Sequence, residues 1–189
     1  MNSIYFSEEH TILRNQIRRF VEQKVVSVAE EWEENGYIPR EILQQMGDLG
    51  FLGIRYLTDD GGSEVDALGS VILAEELGRS TFGGLAVTVL VHTDMASPHL
   101  DNFGNKQQLN KYMSEIISGQ KITGVAVTEP DVGSDVAAMK TRAVKDGNDY
   151  VINGSKMFIT NGVHGDLFFV AAITELDVKP SLGITISQV

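Results

Sequence analysis

The sequence predicts an α+β chain, with an N-terminal all-α helical domain over residues 1–120 and an incomplete antiparallel β-barrel or sandwich over residues 121–189. Three observations predict this. Apolar residues recur at helical spacing up to Gly119. Beyond it, short runs rich in Val, Ile, Thr, Tyr and Phe are separated by turn residues. The last run, Gly183 to Ser187, has hardly begun when Val189 is reached, so five or six strands are expected without closure and with open edges.

Ser7 caps the first helix, and Glu8 and Glu9 complement the positive end of its dipole. Leu13, Ile17, Phe20, Val21, Val28 and Trp32 then predict one long amphipathic helix that stops at Asn35-Gly36. Pro39 suits the first position of a second helix, whose Ile42, Leu43, Met46 and Leu49 form one face before Gly50 closes it. Thr58 to Ser63 reads as a loop. A third helix runs from Asp66 to Gly78, and Phe82 to Val91, apolar almost all round, reads as a central buried helix. His92 at its end reads as a hydrogen-bonded core residue and takes no role. Asn105 caps a fifth helix carrying Leu109, Met113, Ile116 and Ile117. Strands follow at 122–128, 141–145, 149–153, 156–161 and 167–174, with hairpin turns at Asp146-Gly147-Asn148 and Asn153-Gly154.

Composition narrows the functional classes. The net charge of −11, with no local Lys/Arg cluster, argues against nucleic acid, whose binding rests on phosphate neutralisation. The absence of cysteine excludes disulfides, thiolate metal sites and a cysteine nucleophile. MNSIYFSEEH lacks the form of a secretory signal, and the longest apolar run, Leu167 to Ile173, is too short to cross a bilayer, so a soluble cytoplasmic protein is expected. No metal-ligand spacing links His10, His92, His99 and His164. Glu30-Glu31 and Glu75-Glu76 read as solvated helix faces.

Two blocks remain. In TEPDVGSD, residues 128–135, turn chemistry alone favours a structural reading: Pro130 and Gly133 shape a turn that Ser134 and Asp135 satisfy. The same residues can act otherwise: Thr128 ends an apolar strand with a hydroxyl, and successive amides at Gly133-Ser134 can form an anion-binding concavity. In NGSKMFITNG, residues 153–162, strand periodicity sets Phe158 and Thr160 on one side. That places a flat ring beside a hydroxyl.

The two blocks, in this order and spacing after a helical half, resemble the acyl-CoA dehydrogenase family of flavoproteins. The Gly61-Gly62 loop, AEELGRS at 74–80 and His99 to Gly104 are similar as well, so the resemblance covers nearly the whole chain. It implies α,β-dehydrogenation of an acyl-CoA thioester with hydride passed to FAD, an electron-transfer flavoprotein as acceptor, and a homo-oligomer. It also implies a middle β-barrel and a helical C-terminal domain beyond Val189 that supplies the catalytic glutamate, so no catalytic residue is expected here and this chain alone is expected to bind FAD weakly and not to turn over. By the resemblance, Thr128 bonds the pyrimidine edge of the flavin, Gly133 and Ser134 approach the phosphates, and Ser134 also contacts the thioester substrate. Phe158 packs on the ring system, the Thr160 hydroxyl reaches the hydride-accepting nitrogen, and Val125, Val127 and Ile159 line the pocket. Phe158 stands where the family often has tryptophan, and Val125 where it has an aromatic residue. An acyl-CoA oxidase-like relative, or a non-catalytic self-associating fragment, are the alternatives.

Overall fold

The computed structural model describes residues 4–189. Residues 1–3, the beginning of the stretch read above as lacking a signal, lie outside it. Two compact units divide the chain at Lys121 and Ile122.

The first unit is helical. α1 spans Glu8–Lys24 and α2 Ala29–Asn35, so the single long helix expected there is broken. The break falls in the run Val25-Val26-Ser27-Val28, whose β-branched side chains crowd the preceding turn. The amides of Val25 and Val26 both reach the Val21 carbonyl, at 3.0 and 3.1 Å, and the second, a wider π-type bond, ends the ladder. α3 is Arg40–Asp48, with Pro39 just outside it, and Gly50 follows with a left-handed φ of 78°. α4, Ala67–Gly78, lies where the third helix was expected, and Asp66 is its cap rather than its first residue. The same Asp66 carboxylate accepts from His10 Nε2 at 2.9 Å, and His10 closes the Ser7 capping box, so one carboxylate ties together the N-termini of α1 and α4.

α5, Gly83–Leu90, does not have the buried circumference expected of it. Leu85 and Val89 are buried, whereas Val87 is 49% exposed. A π-helical stretch, Val91–Ala96, and α6, Ser97–Phe103, follow; neither is legible as such in the sequence. His92 is fully buried and bonded through Nε2 to the Ile116 carbonyl at 3.1 Å; burial, against that bond, pushes its pKa down to about 4. α7, Lys106–Ile117, carries the expected Asn105 cap. Ile17, Leu43, Met46, Leu52, Ile72, Leu73, Leu77, Leu85 and Met113 form the dry interior.

Glu76 is 1% exposed, which corrects its reading as part of a solvated face. Arg14 Nη1 lies 2.9 Å from its carboxylate, Arg18 Nη2 2.8 Å and Arg79 Nε 3.3 Å. Burial works against its charge, but Arg18 and Arg14 outweigh that and lower its pKa. Neighbouring Glu75 reaches Arg14 but stays half exposed.

The second unit is a five-stranded sheet that is mixed, open, and not wholly antiparallel as expected. Its strands are β1 Thr123–Ala126, β2 Arg142–Asp146, β3 Asp149–Asn153, β4 Leu167–Ile173 and β5 Ile184–Gln188. β4 is the spine. β1 runs parallel beside Leu167 to Val170, β2 meets it in parallel at Ile173, and β5 pairs antiparallel from Phe169 to Ile173. Only the β2–β3 hairpin follows the expected turn, with Gly147 at φ 62°. After Asn153 the chain leaves the sheet, and 156–161 is not a strand.

Candidate functional site

The two motif blocks meet at the end of β1. Thr128 follows the strand, and the chain then reverses through Pro130-Asp131, closed by Glu129 N–H to Val132 O at 2.9 Å and Val132 N–H to Glu129 O at 3.1 Å. Val132 is anchored with Met139 and Ala171 in a small core against which Val127, Ile173 and Ile184 pack. An apolar anchor thus fixes a polar turn.

The second block arrives through Lys156. Its Nζ donates to the Val127 carbonyl and to Glu129 Oε1, each at 2.9 Å, and the Met157 N–H donates to Thr128 O at 2.9 Å. The Lys156 and Glu129 side chains are 11% and 4% exposed. Glu129 also accepts from the backbone amides of Lys140, at 2.6 Å, and Thr141, at 3.0 Å. Burial alone would raise the Glu129 pKa; the Lys156 ammonium and the amides of Lys140 and Thr141 outweigh it and hold the carboxyl at about 2.

Past Met157 the backbone is not extended. Phe158 has φ 57° and Asn161 φ 64°, both left-handed, and Gly162 N–H and Gly165 N–H close turns onto Ile159 O and Asn161 O at 2.9 and 2.7 Å. Phe158 and Thr160 therefore do not share a strand face: Phe158 is 87% exposed, and Ile159 and Thr160 are half-buried. The loop lies close on β1, because a Cβ added at Gly124 would sit 2.9 Å from the Thr160 carbonyl oxygen. The Asn161 side chain amide holds the same strand through Thr123 O at 2.8 Å.

Thr128 and the 158–160 segment are thus brought together, while Val125 and Val127 are half-buried at and just beyond β1. Gly133 and Ser134 stand in an exposed turn, and a Cβ added at Gly133 would meet nothing within 4 Å. The hydroxyls of Thr128, Ser134 and Thr160 bond no other described residue. A strained backbone holding a large ring in the open is the arrangement expected where a flat group is to be covered. Glu129 and Lys156 went unassigned in the sequence, although they sit inside both motifs; opposite charges flanking two blocks that must meet were the available signal.

Residues 7–120 match the family described as acyl-CoA dehydrogenase, N-terminal domain, and residues 124–187 its middle domain. The chain belongs to the acyl-CoA dehydrogenase family. Among relatives, it is 36% identical over 182 residues to the mitochondrial long-chain specific acyl-CoA dehydrogenase of Rattus norvegicus, covering 96% of this chain and 42% of that one. The crystal structure of acyl-CoA dehydrogenase from Geobacillus kaustophilus superposes with a TM-score of 0.95 at 38% identity, over 100% of this chain and 49% of the other. An FAD complex of PigA superposes at 0.91 with 27% identity, over 100% and 49% of the two chains. The chain therefore spans about half the length of the relatives it matches. Among its described residues there is no helix long and apolar enough to cross a membrane and no cluster suited to a metal ion.

Proposed function

We propose that this chain works in the FAD-dependent α,β-dehydrogenation of an acyl-CoA thioester. The observation that carries the reading is the joining of the two family motif blocks by Lys156 and Glu129 beside the exposed Phe158 ring. The FAD complex of PigA, which superposes over the whole chain, supports the cofactor. So do the unpartnered Thr128 and Thr160 hydroxyls and the open approach at Gly133.

Bound FAD supplies a two-electron acceptor for the hydride lost from the β-carbon. This chain's residues bind and orient it. Thr128 would donate to the pyrimidine edge, Phe158 would provide stacking area, and the Thr160 hydroxyl would reach the reactive ring nitrogen. Val125, Val127 and Ile159 form apolar wall. Gly133 and Ser134 offer amides to phosphate, and Ser134 a hydroxyl to the thioester substrate. Glu129 is not the base that removes the α-proton. A carboxyl at about 2, tied to Lys156, is far too weak for proton abstraction near neutral pH.

The domain division at 120/121, a middle β-barrel begun by the sheet, a homo-oligomer and an electron-transfer flavoprotein as acceptor belong to the same proposal and rest on the family resemblance. The composition supports a cytoplasmic setting. Anaerobic addition of an acyl-CoA to the intact flavoprotein is expected to bleach its visible band, and electron-transfer flavoprotein to restore it faster than oxygen does. A flavin that no acyl-CoA bleaches would overturn the reading. Restoration by oxygen alone would replace the dehydrogenase with an oxidase.

A further inference from the structure

We infer that Lys156, acting through the Val127–Thr128 peptide, sets the donor strength of the Thr128 N–H and so tunes the redox potential of the bound flavin. The inference rests on the proposed function and adds a positioning residue to it.

Lys156 Nζ sits 2.9 Å from the Val127 carbonyl oxygen. That oxygen and the Thr128 N–H are two ends of one resonance-coupled peptide unit. A charge-assisted bond at the oxygen draws electron density from the nitrogen, and hydrogen-bonded chains strengthen one another in this way. The Thr128 N–H itself donates to no described residue, although Thr128 is half-buried and its carbonyl is taken by Met157 N–H at 2.9 Å. A half-buried backbone donor with no protein partner is open to a ligand that reaches it. The polarised donor is thus available to the flavin edge.

Glu129 sets how much of the lysine charge reaches that peptide. Its Oε1 lies 2.9 Å from the same ammonium, while the amides of Lys140 and Thr141 hold the carboxylate in place. The exposed Lys140–Asp131 pair at 2.7 Å is the other ion pair of this turn, and its solvation leaves it little influence. A flavin edge gains negative charge on reduction, so a stronger donor there favours the reduced form.

The test compares the flavin midpoint potential of the wild type, Lys156→Met, Lys156→Arg and Glu129→Gln against a reference dye. Lys156→Met is expected to lower the preference for reduced over oxidised flavin about tenfold, roughly 30 mV more negative for a two-electron couple. Glu129→Gln is expected to move the midpoint the opposite way, and Lys156→Arg to stay near wild type. A pair that served packing alone would lower thermal stability in both variants and leave the potential in place, and that result overturns the inference. Should Lys156→Met fail to fold, an unmoved midpoint in Glu129→Gln overturns it equally. A cofactor-free reading is the Thr128 amide proton resonance, which shifts upfield in Lys156→Met if the peptide is polarised and stays unmoved if it is not. Failure of the wild type to take up FAD overturns the proposed function instead, and is seen before any variant is compared.

Discussion

Lys156 and Glu129 form a buried ion pair, Nζ to Oε1 at 2.9 Å, that joins two segments 27 residues apart. The pair fixes a pH dependence. The Glu129 carboxyl is held at about 2 against an ordinary value of 4.5, so its contribution to stability is complete above about 4.5 and is lost as pH falls from there toward 2. That contribution is on the order of 3 kcal/mol at neutral pH. Thermal melts of the β unit between pH 7 and 2.5 are expected to show this acid loss. Glu129→Gln should start lower at pH 7 and show a flatter profile; an equally steep one contradicts the assignment.

Glu76 makes the corresponding contrast in the helical unit. Glu76→Ala leaves Arg14, Arg18 and Arg79 without their buried partner and should cost about 3 kcal/mol, the low end for breaking such a network, because the arginines reach solvent. Glu75→Ala, at a half-exposed carboxylate, should cost under about 1 kcal/mol. Chemical denaturation of the two variants measures the difference, and equal losses would contradict the burial argument.

Phe158 sets stability against binding. A non-glycine residue at φ 57° carries strain of about 1 kcal/mol or more, and this ring is 87% exposed in return. Phe158→Gly is expected to leave the melting temperature of the free chain unchanged or raise it, while weakening FAD binding at least tenfold through lost stacking. A variant that melts earlier and binds as well reverses the assignment.

These positions mark where sequence reading succeeds and stops. The Ser7 and Asn105 caps and the Gly147 turn are legible because capping and turn chemistry act over three or four residues. The break at Val25 to Val28, the exposure of Val87 and the burial of Glu76 were not, because each depends on what a distant segment covers. Thr128 and Phe158 carry their proposed roles through the family motifs, whereas the strand expected over 156–161 is not formed. Alternation of side-chain type there is overridden by Lys156 reaching back to Glu129 and by two left-handed residues. Those long-range contacts also explain why Lys156 was passed over.

Gly124 tests whether the 158–160 loop must lie against β1. In Gly124→Ala the new methyl would sit 2.9 Å from both the Thr160 carbonyl oxygen and a Phe168 ring carbon, so the loop must shift. Faster hydrogen exchange at the Gly162 and Gly165 amides and weaker FAD binding are expected, with melting of the helical unit unchanged. Unaltered exchange would show that the contact is slack.

The most direct measurement is a titration of the chain with FAD, followed by visible-region circular dichroism and flavin fluorescence. A saturable induced signal is expected, with affinity reduced by about 0.5–1.5 kcal/mol in Thr128→Ala and in Thr160→Ala, one neutral hydrogen bond each. Saturable binding that neither substitution alters would contradict the flavin site proposed for these residues.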